Sequence, residues 1–259
     1  MRLLIFLLSA SACFGQLTVQ QMEPFFKGAG VPSVFYPTNL PGVWIRWWVA
    51  SDNPTNITIT NWVDRVVAAQ LTNTLALSPT NSALGMGFNG STYLQWKDIL
   101  TTDNNSSVTN VVFLIMQPIT PSTDFSGVYG IRDVAQYSTG RGLMTRTTGA
   151  YQWNDGVFQA DICKFTSGSY QDMAIVGPEA TSTTSMLFYT NGILGFSAAN
   201  AGWLTSRPHN VVGHNSNNNG NYKGLIQEML VGTNIPIAQV TMVVSNLHWY
   251  ATNTYHFTP

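Results

Sequence analysis

Glu228 has the setting that most invites chemistry. It stands in Leu225-Ile226-Gln227-Glu228-Met229-Leu230-Val231, a strand-like run with no other charged residue. A carboxyl among apolar side chains is costly to ionise, and such groups act as general acids or as hydrogen-bonded anchors. Glycoside cleavage needs two carboxylates flanking one bond, and this run holds one. With Ile226 and Leu230 on its face at a period of two, Glu228 is expected to be partly buried and bonded to a turn. A second constellation, Tyr151, Trp153, Asn154 and Asp155, sets aromatic rings beside an amide and a carboxylate. Sugars offer flat C–H faces and pairs of hydroxyls, so these four residues form a candidate ligand site. Asn154-Asp155-Gly156 reads equally as a hairpin turn. A third group, Asn215, Asn217 and Asn219, supplies side-chain carbonyls, the hard oxygen donors that Ca²⁺ accepts. Carboxylates normally supply the binding energy for Ca²⁺ and the run has none, so a solvated loop is expected there and no cofactor is assigned.

The remaining motifs read as structure. Gly85-Met86-Gly87-Phe88-Asn89-Gly90 has the spacing of a dinucleotide loop, but strand-like Ser91-Thr92-Tyr93-Leu94-Gln95-Trp96 follows where a helix would be required. Its glycines are expected in turns. His209 and His214 flank an extended Asn210–Gly213 on opposite faces, which disfavours a shared metal and favours exposed or loop positions. Cys163, in Asp161-Ile162-Cys163-Lys164-Phe165, is expected as a small buried hydrophobe in a strand. The other cysteine, Cys13, falls in a leader-like start, so no disulfide framework is expected.

Composition narrows the class. Charged residues make up 9% of the 259-residue chain, against about 25% in ordinary soluble domains. Lys and Arg number 11 against 12 Asp and Glu, with no basic cluster, so a nucleic-acid partner is not expected. Eight Trp, 10 Tyr and 13 Phe give enough surface to bury, which argues against disorder. Residues 1–15 combine Arg2, an apolar run from Leu3 to Leu8 and small residues to Gly15, the pattern of a secretory signal peptide. Cleavage before Cys13 would instead leave a lipid-modifiable cysteine, although Ala10-Ser11-Ala12-Cys13 lacks the usual lipobox Leu. The apolar run is shorter than the roughly 20 residues of a membrane span. A secreted or extracytoplasmic chain is therefore expected, with an N-terminal extension over 16–35 and one domain over 36–259.

Within that domain, strands dominate. Val43–Val49 is β-branched and aromatic, Asn110–Met116 is continuously apolar, and Phe158–Phe165 alternates. Met186–Thr190, Asn191-Gly192 and Ile193–Phe196 form a hairpin pattern with a type I′ turn. One helix is predicted near the end, with Thr233 or Asn234 as cap, Pro236 in its first turn, and Val240, Val243, Val244 and Leu247 on its apolar face.

Six segments, in order, resemble the LamG-like jelly rolls of the concanavalin A-like lectin/glucanase superfamily. They are Tyr36–Asp52, Trp62-Val63-Asp64, Gly87–Leu94, Phe188–Gly192, Tyr222–Leu230 and the helix ending near Leu247-His248-Trp249-Tyr250. The Ser-Gly that usually follows the second motif is missing, and Asn89 replaces an Asp in the third. The resemblance implies an all-β, two-sheet antiparallel jelly-roll sandwich with a short C-terminal helix, in which Trp44, Trp48, Phe88 and Phe113 fill the gap between sheets. It also implies a ligand site that in some members lies near Ca²⁺. The functional expectation is a non-enzymatic, lectin-like module for a glycan or another cell-surface polymer. The alternatives are a structural or receptor-binding component of a virus or phage and, less favoured, a glycan hydrolase.

Overall fold

The computed structural model describes residues 36–55, 57–59, 61–66, 70–72, 79–97, 108–133, 136–154, 159–177, 186–198, 209–214 and 222–255. The leader, Cys13, the 16–35 extension, Asp155, Asn215, Asn217, Asn219 and His256 lie outside them. The expected all-β sandwich is present: two antiparallel sheets and one helix near the C-terminus.

Sheet A has nine strands. Its order runs β15 (Ile193–Ala198), β14 (Met186–Thr190), β13 (Gln171–Gly177), β8 (Val108–Pro118), β17 (Lys223–Pro236), β6 (Gly85–Asn89), β5 (Thr80–Ser82) and β2 (Ile57–Thr58). β1 (Val43–Val49) also pairs with β17, through its C-terminal part, Glu228 to Thr233. Sheet B has eight strands: β12 (Gln159–Lys164), β11 (Ala150–Asn154), β10 (Gln136–Thr145), β9 (Ser126–Asp133), β16 (His209–Val212), β7 (Leu94–Lys97), β4 (Gln70–Thr72) and β3 (Asn61–Val63).

Two apolar clusters make three layers. Between the sheets lie Trp48, Phe88, Leu114, Met116, Leu143, Tyr151, Trp153, Met173, Phe188 and Met229, among others. On the other side of sheet A, Trp44, Val111, Phe113, Ile115, Ala174 and Leu230 meet the helix. β8 is thus buried on both faces, which is why its sequence is a continuous apolar run rather than an alternating one. Of the four aromatics expected between the sheets, Trp48 and Phe88 are there. Trp44 and Phe113 instead face the helix, because successive side chains of a strand point to opposite faces.

The helix, α1 (Val240–Tyr255), is rich in β-branched residues and has low intrinsic propensity. Packing decides in its favour: Val240, Val243, Val244, Leu247 and Ala251 recur on one face and are all buried against sheet A. Its polar side chains are absorbed locally, with Asn246 donating to the Met242 carbonyl (2.8 Å) and Thr252 to that of His248 (3.0 Å). The start differs from the expected cap. Thr233 to Pro236 still belong to β17, a short 3₁₀ turn spans Ile237–Gln239, and the α-helix begins at Val240. Asn234 adopts φ 54° at the irregularity between Gly232 and Ile235 in the pairing with β8, and Thr233 bonds sideways to the Val43 carbonyl. Ladder pairing with β8 outcompetes capping here.

The Asn191-Gly192 hairpin has φ of 50° and 72°, the positive pair a type I′ turn requires. Gly85 and Gly90 of the dinucleotide-like run sit in β6 and the turn after it, and strand β7 follows. Gly213 has φ 85°, and a Cβ there would fall 2.3 Å from Phe88 Cδ1, inside the inter-sheet core. Gly213→Ala should therefore cost at least about 2 kcal/mol. A urea midpoint unchanged from wild type would refute that close approach.

Candidate functional site

The aromatic platform expected at Tyr151 and Trp153 is corrected by burial. Both rings are 0% exposed in β11, within the inter-sheet core. Trp153 lies 5.4 Å from Phe188 and Tyr151 lies 4.9 Å from Phe165, ring centre to ring centre, so neither offers a face to an external sugar. Gln171 donates to the Tyr151 hydroxyl. Burial raises the Tyr151 hydroxyl well above its usual range, leaving it protonated. The side chain of Asn154 is not among those described.

Glu228 also departs from expectation, and a β-bulge explains how. Between Ile226 and Glu228 the pairing with β8 slips by one residue. Ile226 and Met229 then face the inter-sheet core, while Glu228 turns with Leu230 toward the helix side. Glu228 is fully buried, and its partners are side chains from two distant elements rather than a turn. Trp47 Nε1 on β1 donates to Oε1 at 2.5 Å. Tyr255 and Tyr250 of α1 donate to Oε2 at 2.6 and 3.1 Å. Burial and the neighbouring carboxylate push both phenols up, so they remain donors. Burial pushes Glu228 itself up to about 7, against the opposing pull of its three donors.

Two other buried acids are structural pins. Asp64 accepts from the backbone N–H of Trp47 and of Val66, both at 2.9 Å, and pairs with Arg46 at 3.3 Å. Together with the Trp48–Asp64 bridge it ties the chain after β3 to β1, so the Trp-x-Asp motif serves placement. Asp172 on β13 meets His248 Nδ1 of α1 at 2.5 Å. His214, expected as exposed or in a loop, is buried and edge-on to Tyr93 with ring centres 5.0 Å apart. Cys163 is partly buried in β12 with Sγ 3.1 Å from the Thr190 hydroxyl, and burial raises its thiol.

What the pinning of Asp64 produces is a surface feature that the sequence reading did not single out. An open cleft of about 570 Å³ is lined by Tyr36, Thr38, Trp47, Arg65 and Val66. The Arg65 N–H bonds to the Trp47 carbonyl at 2.8 Å, and its guanidinium lies 4.7 Å from the centre of the Trp47 ring. Arg65 also grips Asp52 through two bonds of 2.5 and 2.6 Å, which raise its already high basicity. Tyr36, 47% exposed, stands edge-on to Trp47. The cleft is thus lined by the same tryptophan whose Nε1 bonds Glu228. Among the described residues no three His, Cys, Asp or Glu side chains are grouped to hold a metal, and no helix is long and apolar enough to cross a membrane.

With this geometry in hand, likeness to known proteins places the fold and no family. No family model matches the chain, and no curated protein matches its sequence. Solved structures do match in shape. Domain 4 of AbnA, a GH43 extracellular arabinanase from Geobacillus stearothermophilus solved with arabinotriose, aligns at a TM-score of 0.53 and 15% identity, over 79% of this chain and 100% of that one. The sialidase of Trypanosoma rangeli aligns at 0.57 and 10% identity, over 83% of this chain but 34% of its own. A mutant of HCR/D aligns at 0.51 and 12% identity, over 80% of this chain and 51% of its own. The chain therefore spans about a third of the sialidase and half of HCR/D. At these identities the shared property is the β-sandwich.

The raised carboxyl has a measurable consequence. An unfolded chain releases the Glu228 proton near pH 4.5 and the folded one near 7. Between those values the folded state binds more protons, so stability falls as pH rises through the window and is flat on either side of it. The stability of wild type relative to Glu228→Gln should drop by on the order of 3 kcal/mol from pH 4.5 to 7.5. Urea titrations of both proteins across that range check this, and a constant difference would rule out a raised carboxyl.

Proposed function

We propose that this chain is a non-enzymatic, extracytoplasmic glycan-binding module. The observation that carries the reading is the state of its acids. Each described carboxylate whose side-chain bonds are known is committed to a partner: Glu228 to Trp47 and two tyrosines, Asp64 to backbone, Asp172 to His248, Asp52 to Arg65, Asp124 to Arg146 and Asp161 to Gln152. Glycoside cleavage asks for two carboxyls roughly 5 to 10 Å apart across an accessible bond. The most chemically suggestive acid here is sealed behind Trp47 with both oxygens bonded. A surface poor in charge and rich in Asn, Thr and Ser hydroxyls and amides suits uncharged hydroxylic ligands.

Shape supports the same reading. The arabinanase domain is matched over its whole length, and it is a separate domain of a glycan-active enzyme solved with an oligosaccharide. The sialidase is matched over only a third of its chain. A sandwich of this kind, with its acids committed to protein partners, is suited to holding glycan rather than cleaving it. The leader-like residues 1–15 support export, with the cell surface or a secreted polymer as the place of action.

A glycan array probed with the full chain, with and without Ca²⁺, should show saturable binding to at least one oligosaccharide class. Hydrolysis of the bound class should stay at background. Turnover that disappears in Glu228→Gln would overturn the non-enzymatic reading, and a blank array would overturn glycan binding.

A further inference from the structure

We propose that the cleft over Trp47 is the ligand site, and that it takes a neutral sugar unit bearing a vicinal diol. This rests on the glycan-binding reading and names its site and ligand class. Three features converge there. Tyr36 is nearly half exposed and its described ring contact is edge-on, to Trp47, which leaves ring surface for the C–H side of a sugar. Thr38 adds a hydroxyl that can donate or accept. The third feature is Arg65 of the cleft lining, which holds the partly exposed Asp52 beside it.

Its exposure sets the Arg65–Asp52 pair apart from the buried ones. The Arg65 and Asp52 side chains are 35% and 26% exposed, against 12% and 0% for Arg46 and Asp64. Arg65 spends Nε and Nη2 on Asp52, so Nη1 is left to donate. Each Asp52 oxygen accepts one bond from Arg65 and has a further lone pair. A donor edge therefore lies beside an acceptor edge. Adjacent hydroxyls on a sugar present the complement, one oxygen accepting from the guanidinium while its neighbour donates to the carboxylate. The two charges cancel, so the pair provides no net attraction for an acidic sugar. The site is also preorganised. Arg65 is fixed by its own backbone bond to Trp47 and by the Asp64 pin, and Trp47 is fixed by Glu228.

The test uses the full chain and a panel of neutral oligosaccharides, including arabinotriose, beside sialylated and uronic-acid glycans. Affinity for the best neutral glycan should fall at least tenfold in Tyr36→Ala and in Asp52→Asn. Asp161→Asn, an exposed acid on β12, should bind as wild type does. Urea midpoints accompany each variant, and if Asp52→Asn is unstable the surface change Tyr36→Ala decides alone. Glycan binding kept within twofold by Tyr36→Ala and by a stable Asp52→Asn would overturn the cleft and leave the glycan-binding reading standing. Tighter binding of anionic than of neutral glycans would overturn the ligand class. No binding by wild type to any glycan would remove both readings.

Discussion

Sheet A is apolar on both faces, and the rest of the molecule follows from having to cover them. Sheet B covers one side, burying the larger cluster that holds Trp48, Trp62 and Trp153. Helix α1 covers the other. Burial of Val240, Val243, Val244 and Leu247 contributes roughly 6–12 kcal/mol before the entropy of ordering the segment is subtracted. That is enough to hold β-branched residues in a helix they would not form alone. The helix face must therefore be correctly placed over the sheet, and apolar contact is poor at fixing direction.

Directional groups supply what apolar packing lacks. Glu228 draws donors from β1 and α1 onto one point of the sheet, and Asp172 draws His248 of the same helix onto another. Two buried acids thus fix both the register and the rotation of α1. Charged groups in such positions are costly, and their retention fits a role in specifying one arrangement. The cost at Glu228 is lowered by its preference for the protonated form up to about pH 7.

The architecture was legible in the sequence because it depends on local pattern. The Asn191-Gly192 turn, the apolar run of β8 and the spacing of α1 each carry their own signal within a few residues. The site was not, for two physical reasons. Burial cannot be read from residue type alone: Tyr151 and Trp153 look like a platform in one dimension, yet alternation on β11 does not separate them from the core, since both faces of that strand are covered there. Bulges shift alternation without a mark in the sequence, and Glu228 changed face through one. The bond between Trp47 and Glu228 also spans 181 residues, beyond any spacing rule. Trp62-Val63-Asp64 is the intermediate case: its resemblance was visible, while its work of fixing Arg65 beside Trp47 was visible only in three dimensions.

The two Arg–Asp pairs around Trp47 show how the same chemistry divides between structure and surface. Arg46–Asp64 is desolvated, and its carboxylate is saturated by backbone N–H groups, so its strength goes into holding β1 against the chain after β3. Arg65–Asp52 sits in water, where an ion pair contributes little to stability. Its two-bond geometry, with the Trp47 ring beneath the guanidinium, leaves a paired donor and acceptor partly exposed at the surface. Stability accounts for the first pair, while the proposed sugar contact would give the second, exposed pair a separate use.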